Sequence, residues 1–490
     1  MKSQLISIFP ELVLVFSTLS LLMIGAYMKV GTGRMVGSIK NSAFVLILCL
    51  GAIILLEHNI VTVSLFNKML VIDSFSLFCK TVIIFSAIMV LTISYSYFED
   101  KKELFSYEIP LLMILAVLGL MIMVSSSDML SFYMGLEMQS LAAYVIAAAK
   151  KGDKRTAEAG IKYFILGALA SGILLYGISL IYGCTGATNF ADIGTSVSAN
   201  ATLPLGVTIG LVLVIIGIAF KLSAAPFHMW APDVYDGVAT PVTAFFAVVP
   251  KLAAVAVLIR ILATSFDKFM PEWQQVIIII SVLSMLVGAF AGIWQQSIKR
   301  LLAYSSIGHM GYILAGVAAL GVEGTGAVLS YFVIYILNTI GIFGIILFIN
   351  ARDKESERNI KNISHFAGFY KTHPAIAILF TLMLVSMIGL PIPPFAGFWA
   401  KFLVFSAAVN SGLYALAVIG VVSSVVASYY YLRIIKIMYF DEPVTEIKIF
   451  CNNDKNIKAA LLLVTILSLV IFIKPSLLTN AAKIAASSLF

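Results

Sequence analysis

Five lysines and one glutamate stand where an apolar chain gains nothing from charge. Lys80, Lys162, Lys221, Lys251 and Lys401 lie inside long hydrophobic runs, and Glu137 sits in LSFYMGLEMQSLAAYVIAA with no basic residue at helical spacing. A lysine at the centre of a bilayer helix costs roughly 2.5–3.5 kcal/mol on insertion scales, and such a residue marks an ion or proton path with a partner nearby. Burial disfavours an ammonium group in general, and a neighbouring carboxylate favours it. A lysine whose partner approaches and retreats therefore loads and releases a proton. Arginine does not deprotonate in proteins. All five of these cations are Lys and none is Arg, which favours proton transfer over a static counter-ion role.

Depth separates the candidates. Lys221 stands deep in its run, beside the break KLSAAP; Lys251 is mid-run; Lys401 lies within FAGFWAKFLVFSAAV. These three are too deep to reach an interface and read as functional. Lys80, in the second turn of its run, reads as a snorkelling residue. Lys162 is compatible with either role. Glu137 needs a cation from another element, and Lys221 is the nominee. His309, in AYSSIGHMGY, reads equally as a proton relay or as a neutral, hydrogen-bonded core histidine. His228 reads as lining a cavity or capping the break. His58, His365 and His373 lie near loops and read as inert. Asp128, Asp233, Asp236 and Glu323 fall at run ends, where caps and interfacial solvation explain them.

The elements that must carry these residues follow from composition. Of 490 residues, 61% are hydrophobic and 11% charged, against roughly 25% charged in soluble chains. Lipid is the solvent that fits. The runs predict about fourteen transmembrane helices, near 5–28, 39–57, 74–97, 107–126, 129–149, 157–183, 204–226, 239–264, 272–294, 299–320, 323–350, 374–409, 413–439 and 457–477. The first run is longer than a signal-peptide core and lacks a small-residue cleavage site, so it reads as a retained span. Spans 7 and 12 are broken, at Lys221–Pro226 and at Gly389–Pro394. Proline removes a backbone donor, and broken helices survive in lipid only where protein or trapped water satisfies the freed groups. Breaks five spans apart place spans 4–8 and 9–13 in opposite directions, the pattern of inverted-repeat transporters. The expected divisions are 1–106, 107–264, 272–439 and 440–490. Loops after odd-numbered spans, with the adjoining span ends, carry Lys29, Arg34, Lys40, Lys101, Lys102, Lys150, Lys151, Lys154, Arg155, Lys299, Arg300, Arg352, Lys354, Arg358, Lys361, Lys371, Arg433, Lys436, Lys448, Lys455 and Lys458. The other side holds only Lys2, Lys68, Arg260, Lys268, Lys474 and Lys483. This bias puts the odd-numbered loops in the cytoplasm and both termini outside. The net charge of +8 belongs to these loops and does not point to nucleic acid. Cys49, Cys79, Cys184 and Cys451 show no metal spacing and read as buried helical thiols, so no redox centre is expected in the chain. Phosphate loops, HExxH and nucleophile elbows are absent from the sequence.

Three stretches carry a resemblance. FKLSAAPFHMWAPDVYDGVATPVTAFFAVVPKLAAV (220–255), KRLLAYSSIGHMGYILAG (299–316) and GLPIPPFAGFWAKF (389–402) resemble the antiporter-like subunits of respiratory complex I, over most of the chain from span 5 to span 13. WAPDVYDGVATPVTAF is similar to the N-type members. The resemblance implies a fold of two inverted five-helix units and a proton-pathway role for Glu137, Lys221, Lys251 and Lys401, with Lys162 and His309 matching a span-6 Lys and a span-10 His. M-type members carry Glu where Lys401 stands, and L-type members carry a long lateral helix where this chain has a short tail. The resemblance implies a bacterial inner membrane and neighbouring K-type and M-type subunits. It also implies that NADH, FMN, iron–sulfur clusters and quinone are held elsewhere in the complex. Protons would enter from the cytoplasm by Lys221, pass Lys251 and His309, and leave by Lys401, with Glu137 modulating Lys221 by pairing. A multisubunit sodium/proton antiporter is the alternative. Sodium sites favour carboxylate and carbonyl oxygens, and Glu137 is the one clearly buried acid expected. A solute carrier would not need a line of lysines.

Overall fold

Acidic and hydroxyl side chains set where many of the helices begin. Asp73, Asp128, Asp153, Ser297 and Asp454 each accept a backbone N–H from the first turn that follows, satisfying donors that have no intrahelical partner. Asp128 is thus the cap expected of it. The computed structural model describes residues 7–27, 33–57, 62–101, 104–199, 202–353, 356–359, 362–392, 396–443, 448–451 and 454–490. Lys2, Lys29, His58, Lys102, Lys354, Lys361 and the breaker prolines Pro393 and Pro394 lie outside the described residues.

In chain order the helices are α1 (Phe9–Tyr27), α2 (Gly33–Glu57), α3 (Ser74–Asp100), α4 (Ile109–Ser125), α5 (Met129–Ala147), α6 (Lys154–Thr185), α7 (Phe190–Ser198), α8 (Leu205–Leu222), α9 (Trp230–Gly237) and α10 (Thr240–Ser265). They continue as α11 (Met270–Ile293), α12 (Ile298–Ala318), α13 (Gly321–Phe348), α14 (Phe369–Thr372), α15 (Pro374–Ile388), α16 (Gly397–Asn410), α17 (Tyr414–Phe440), α18 (Lys455–Ile473) and α19 (Ser476–Ser487). Eleven helices among the described residues are long and apolar enough to cross a membrane, and α4 and α15 are shorter apolar helices. Expected span 12 is two helices, α15 and α16, whereas in expected span 7 the helix α8 ends at Leu222 and the chain runs on through the break into the short α9, beyond the expected limit. The chain is not purely helical. An antiparallel hairpin pairs β1 (Val63–Leu65) with β2 (Leu70–Ile72), and β3 (Ile349–Asp353) lies between β4 (Ser356–Asn359) and β5 (Lys448–Cys451). Span 11 ends at Phe348, where the chain turns into β3. The C-terminal α19 was not expected; it buries Ala482, Ala485 and Ala486 and packs on α13 and α3.

The core lies around α10, α12 and α13, which are buried over almost their whole lengths. A helix apolar on every side belongs inside a bundle. Matching neighbours recur in the two expected units. α4 packs on α5 as α11 packs on α12, α10 lies against α4 as α17 lies against α11, and α6 meets α8 as α13 meets α15 and α16. Small residues allow the closest approaches: a Cβ on Gly119 would fall 2.7 Å from the Gly135 carbonyl oxygen across the α4–α5 contact.

Candidate functional site

The first break places an ammonium at the end of a half-helix. α8 stops at Leu222, and Ser223 takes a left-handed conformation with φ 59°. Carbonyls at such an end lack intrahelical donors. Here Trp230 Nε1 donates to the Phe220 carbonyl at 2.9 Å, and the Ala224 N–H donates to Ala219 at 2.9 Å. Lys221 lies in the last turn of α8, where the helix dipole favours a cation. Its Nζ donates to Ser140 Oγ at 2.6 Å and to Tyr144 Oη at 3.2 Å, both on α5.

The second break repeats the idea with a different register. α15 stops at Ile388, and Gly389 follows with φ 80°. Lys401, one turn into α16, reaches back and donates to the Ile388 carbonyl at 2.7 Å and to Ser424 Oγ of α17 at 2.6 Å. Lys221 and Lys401 thus both sit at the carbonyl end of a half-helix, one from within it and one from across the gap. A cavity of about 840 Å³ opens between α16 and α17 beside Lys401, walled by Phe398, Phe402, Phe405 and Val421.

Between the breaks lies a row of hydroxyls. Lys251 on α10 is 1% exposed, and its Nζ donates to Ser306 Oγ of α12. Ser306 shares a hydrogen bond of 2.7 Å with Tyr335 of α13. The Tyr335 ring lies 5.3 Å from that of His309. His309 Nδ1 pairs with Tyr331 Oη at 2.6 Å, and Nε2 with Tyr431 Oη at 3.2 Å. A small cavity lined by His309, Tyr335, Asn338 and Ser386 extends to Lys401. A second small cavity, lined by Gln139, Trp230 and Pro250, reaches Lys221 and the turn of α10 that carries Lys251. The side chains that join the lysines, Ser140, Tyr144, Ser306, Tyr331, Tyr335, Ser424 and Tyr431, were not singled out from sequence. Serines and tyrosines in an apolar run read as packing, and only the clustering of AYSSIGHMGY hinted at them.

Other expectations are corrected. Glu137 lies on α5 one turn from Ser140. The Lys221 ammonium contacts Ser140 and Tyr144 rather than the carboxylate, and Glu137 Oε1 is buried without a hydrogen-bond partner. Lys80 does not snorkel: it is 1% exposed and pairs with Glu11 of α1 at 2.5 Å, because α1 lies beside the turn from which snorkelling was expected. Arg260 is a buried cation within α10, so the buried cations are not all Lys. It forms two bonds to Asp73, at 2.7 and 2.9 Å. Lys162 stands apart from the buried row, part-exposed, paired with Glu158 at 2.7 Å and Asp233 at 3.2 Å. Asp233 and Asp236 cap no helix: Asp233 also binds Arg300 at 2.9 Å, and Asp236 accepts from Ser297. Cys184 is exposed, and Cys451 lies on β5 rather than a helix.

A line of amines, hydroxyls and one imidazole can hand protons along, and the two small cavities in the row leave no room for a large solute. Among the described residues no three His, Cys, Asp or Glu groups gather where they could hold a metal ion.

The chain resembles known proteins over its whole length. Residues 126–427 match the family described as NADH:quinone oxidoreductase/Mrp antiporter, TM. NADH-quinone oxidoreductase subunit N of Paramagnetospirillum magneticum is 42% identical, covering 99% of this chain and 98% of its own. The protein of the same name from Rhodospirillum rubrum is 44% identical, covering 98% and 96%. Among solved structures, a chain of respiratory complex I from Thermus thermophilus superposes with a TM-score of 0.80 at 28% identity, over 96% of this chain and 99% of that one. A chain of the Mrp complex from a Dietzia species gives a TM-score of 0.85 at 22% identity, over 99% and 97%, a likeness of fold.

Proposed function

Because the chain belongs to the subunit N family of NADH-quinone oxidoreductase, within the wider NADH:quinone oxidoreductase/Mrp antiporter membrane family, we propose that protons cross it along Lys221, Lys251, His309 and Lys401. The protein is a proton-translocating membrane subunit of that oxidoreductase in a bacterial inner membrane. NADH oxidation and quinone reduction belong to other subunits of the complex. The observation that carries the route is the bonding of Lys221, Lys251 and Lys401 to neutral hydroxyls and a carbonyl. An ammonium held by neutral partners keeps no fixed counter-charge, so it can give up its proton without leaving a carboxylate stranded.

In this reading protons enter from the cytoplasm and reach Lys221. They pass to Lys251, through Ser306, Tyr335 and His309 to Lys401, and leave on the far side. Glu137 acts on Lys221 by charge, and Lys162 stands at the entrance. The same reading gives fourteen crossings, divided at 1–106, 107–264, 272–439 and 440–490, with the two middle parts as inverted units. It places both termini outside the cytoplasm, K-type and M-type subunits as neighbours, and no cofactor on this chain. The recurring pair contacts among α4–α10 and α11–α17 support the division.

The test uses inverted membrane vesicles carrying Lys221→Ala, Lys251→Ala or Lys401→Ala, with NADH oxidation and luminal acidification followed together, with and without sodium. Acidification falling at least about tenfold in an assembled complex is the expected result, since each step loses its only deep proton carrier. Glu137→Gln lowers it less. Unchanged acidification in all three lysine variants would remove the route, and loss of a sodium-dependent, NADH-independent exchange would assign the path to sodium/proton antiport.

A further inference from the structure

The short helix α9 touches both ends of the first proton step. At its start, Trp230 closes the break through the Phe220 carbonyl, next to Lys221. The Trp230 ring stacks on Tyr163 at 4.6 Å, and Tyr163 meets Tyr144, the Lys221 partner, edge-on at 4.8 Å. One and a half turns later, the Tyr235 ring lies 5.8 Å from the Lys251 ammonium, within cation–π reach. A shift of α9 therefore moves the surroundings of two proton carriers at once.

What fixes α9 lies on its other face. Asp233 bonds Lys162 of α6 at 3.2 Å and Arg300 of α12 at 2.9 Å. α6 belongs to one expected unit and α12 to the other, so one carboxylate spans both. Secondary ties follow at the helix end: Thr156 Oγ1 donates to the Gly237 carbonyl at 3.0 Å, and Lys299 Nζ to the Val238 carbonyl at 2.6 Å. Each ion pair is part-exposed, and such pairs contribute little to stability singly. Their value here is geometric, since α9 has eight residues and no intrinsic stability at that length.

We propose that Asp233 is a positioning residue for proton transfer: by joining Lys162 and Arg300 it fixes α9, and through Trp230 and Tyr235 it sets the places of Lys221 and Lys251. The inference rests on the lysine route above. It makes Lys162 a latch partner as well as an entrance residue. It also gives the two units a shared contact through which a change at α12 reaches Lys221.

The experiment compares Asp233→Asn, Asp233→Glu, Arg300→Gln, the Asp233→Asn/Arg300→Gln pair and Lys221→Ala in inverted vesicles with equal assembled complex. It reads the protons moved per NADH oxidised and the pH profile of that ratio. Asp233→Asn should lower the ratio about threefold and displace its pH profile, in the range of a coupling contact rather than a lost carrier. Asp233→Glu should restore both. The double variant should add little to Asp233→Asn alone, because both substitutions break one latch. If Lys221→Ala abolishes pumping while Asp233→Asn leaves ratio and profile unchanged, the latch is wrong and the route survives. Fully additive losses would also overturn it. If Lys221→Ala itself leaves pumping intact, the failure lies in the route.

Discussion

Asp73 and Arg260 show how a single buried pair trades cost for position. Burial pushes the Asp73 carboxyl up. The Arg260 guanidinium beside it and the hydrogen bonds from Arg260 and Ser76 outweigh that effect and hold it below the usual carboxylate range. A group with a depressed folded value contributes stability above its unfolded value, and that stability is lost as pH falls through the folded one. The unfolded value is about 3.9, so the loss belongs below about pH 4. Asp73→Asn should destabilise the purified complex by about 3–5 kcal/mol at neutral pH, since it leaves the Arg260 charge buried without its partner. The variant should then lose less than the native protein on acidification, by thermal unfolding at pH 7 and pH 3.5. An equal acid loss in both would remove Asp73 as the sensitive group. The deep lysines were legible in sequence because a charge in lipid is costly enough to need a reason. Their partners were not. Ser140 and Ser306 cost little wherever they stand in a helix, and the Asp233 partners lie 71 and 67 residues away in the chain. Arg260 was misplaced because its depth was judged from a span end that is in fact enclosed by α3 and α4.

At the scale of elements, the two interrupted helices were legible through their prolines and glycines, but the way each break is sealed was not. The first is sealed by an indole four residues after Pro226, the second by a lysine across the gap, and neither pattern has a fixed spacing. The second seal depends on closeness. A Cβ on Gly397 would fall 1.7 Å from the Ser386 carbonyl oxygen, far inside contact, and neither backbone can yield without parting α15 from α16. Gly397→Ala should therefore separate Lys401 from the Ile388 carbonyl and cost about 1–3 kcal/mol by overpacking. Pumping should fall with it. Gly172→Ala is the control: it lies in α6 with nothing within 4 Å of the added carbon, and should leave both thermal stability and acidification as they were. Equal behaviour of the two variants would show that α15 and α16 have room to move. The short strands and α19 escaped the sequence reading for a different reason. Their runs are too brief for periodicity to decide between strand, helix and loop.

For the whole molecule, direction is the property that ties path to membrane. The lysine row has two ends, and which end faces the cytoplasm follows from the loops rather than from the row. The basic residues gather on the side where α6 and α12 begin, and charged loops of that sign remain in the cytoplasm. On the proposed orientation the Lys162–Asp233–Arg300 cluster would face the proton source, and the turn between α10 and α11 would face the other compartment. Lys151 and Lys268 are both exposed and lie on opposite sides of this scheme. With Cys184 and Cys451 both replaced by Ser, a membrane-impermeant maleimide applied to intact spheroplasts should label Lys268→Cys and spare Lys151→Cys. Inverted vesicles should give the reverse. Labelling of Lys151→Cys from outside would turn the molecule over, and with it the direction in which Lys221 precedes Lys401. The row itself would stand, because its hydrogen bonds are indifferent to which compartment supplies the proton.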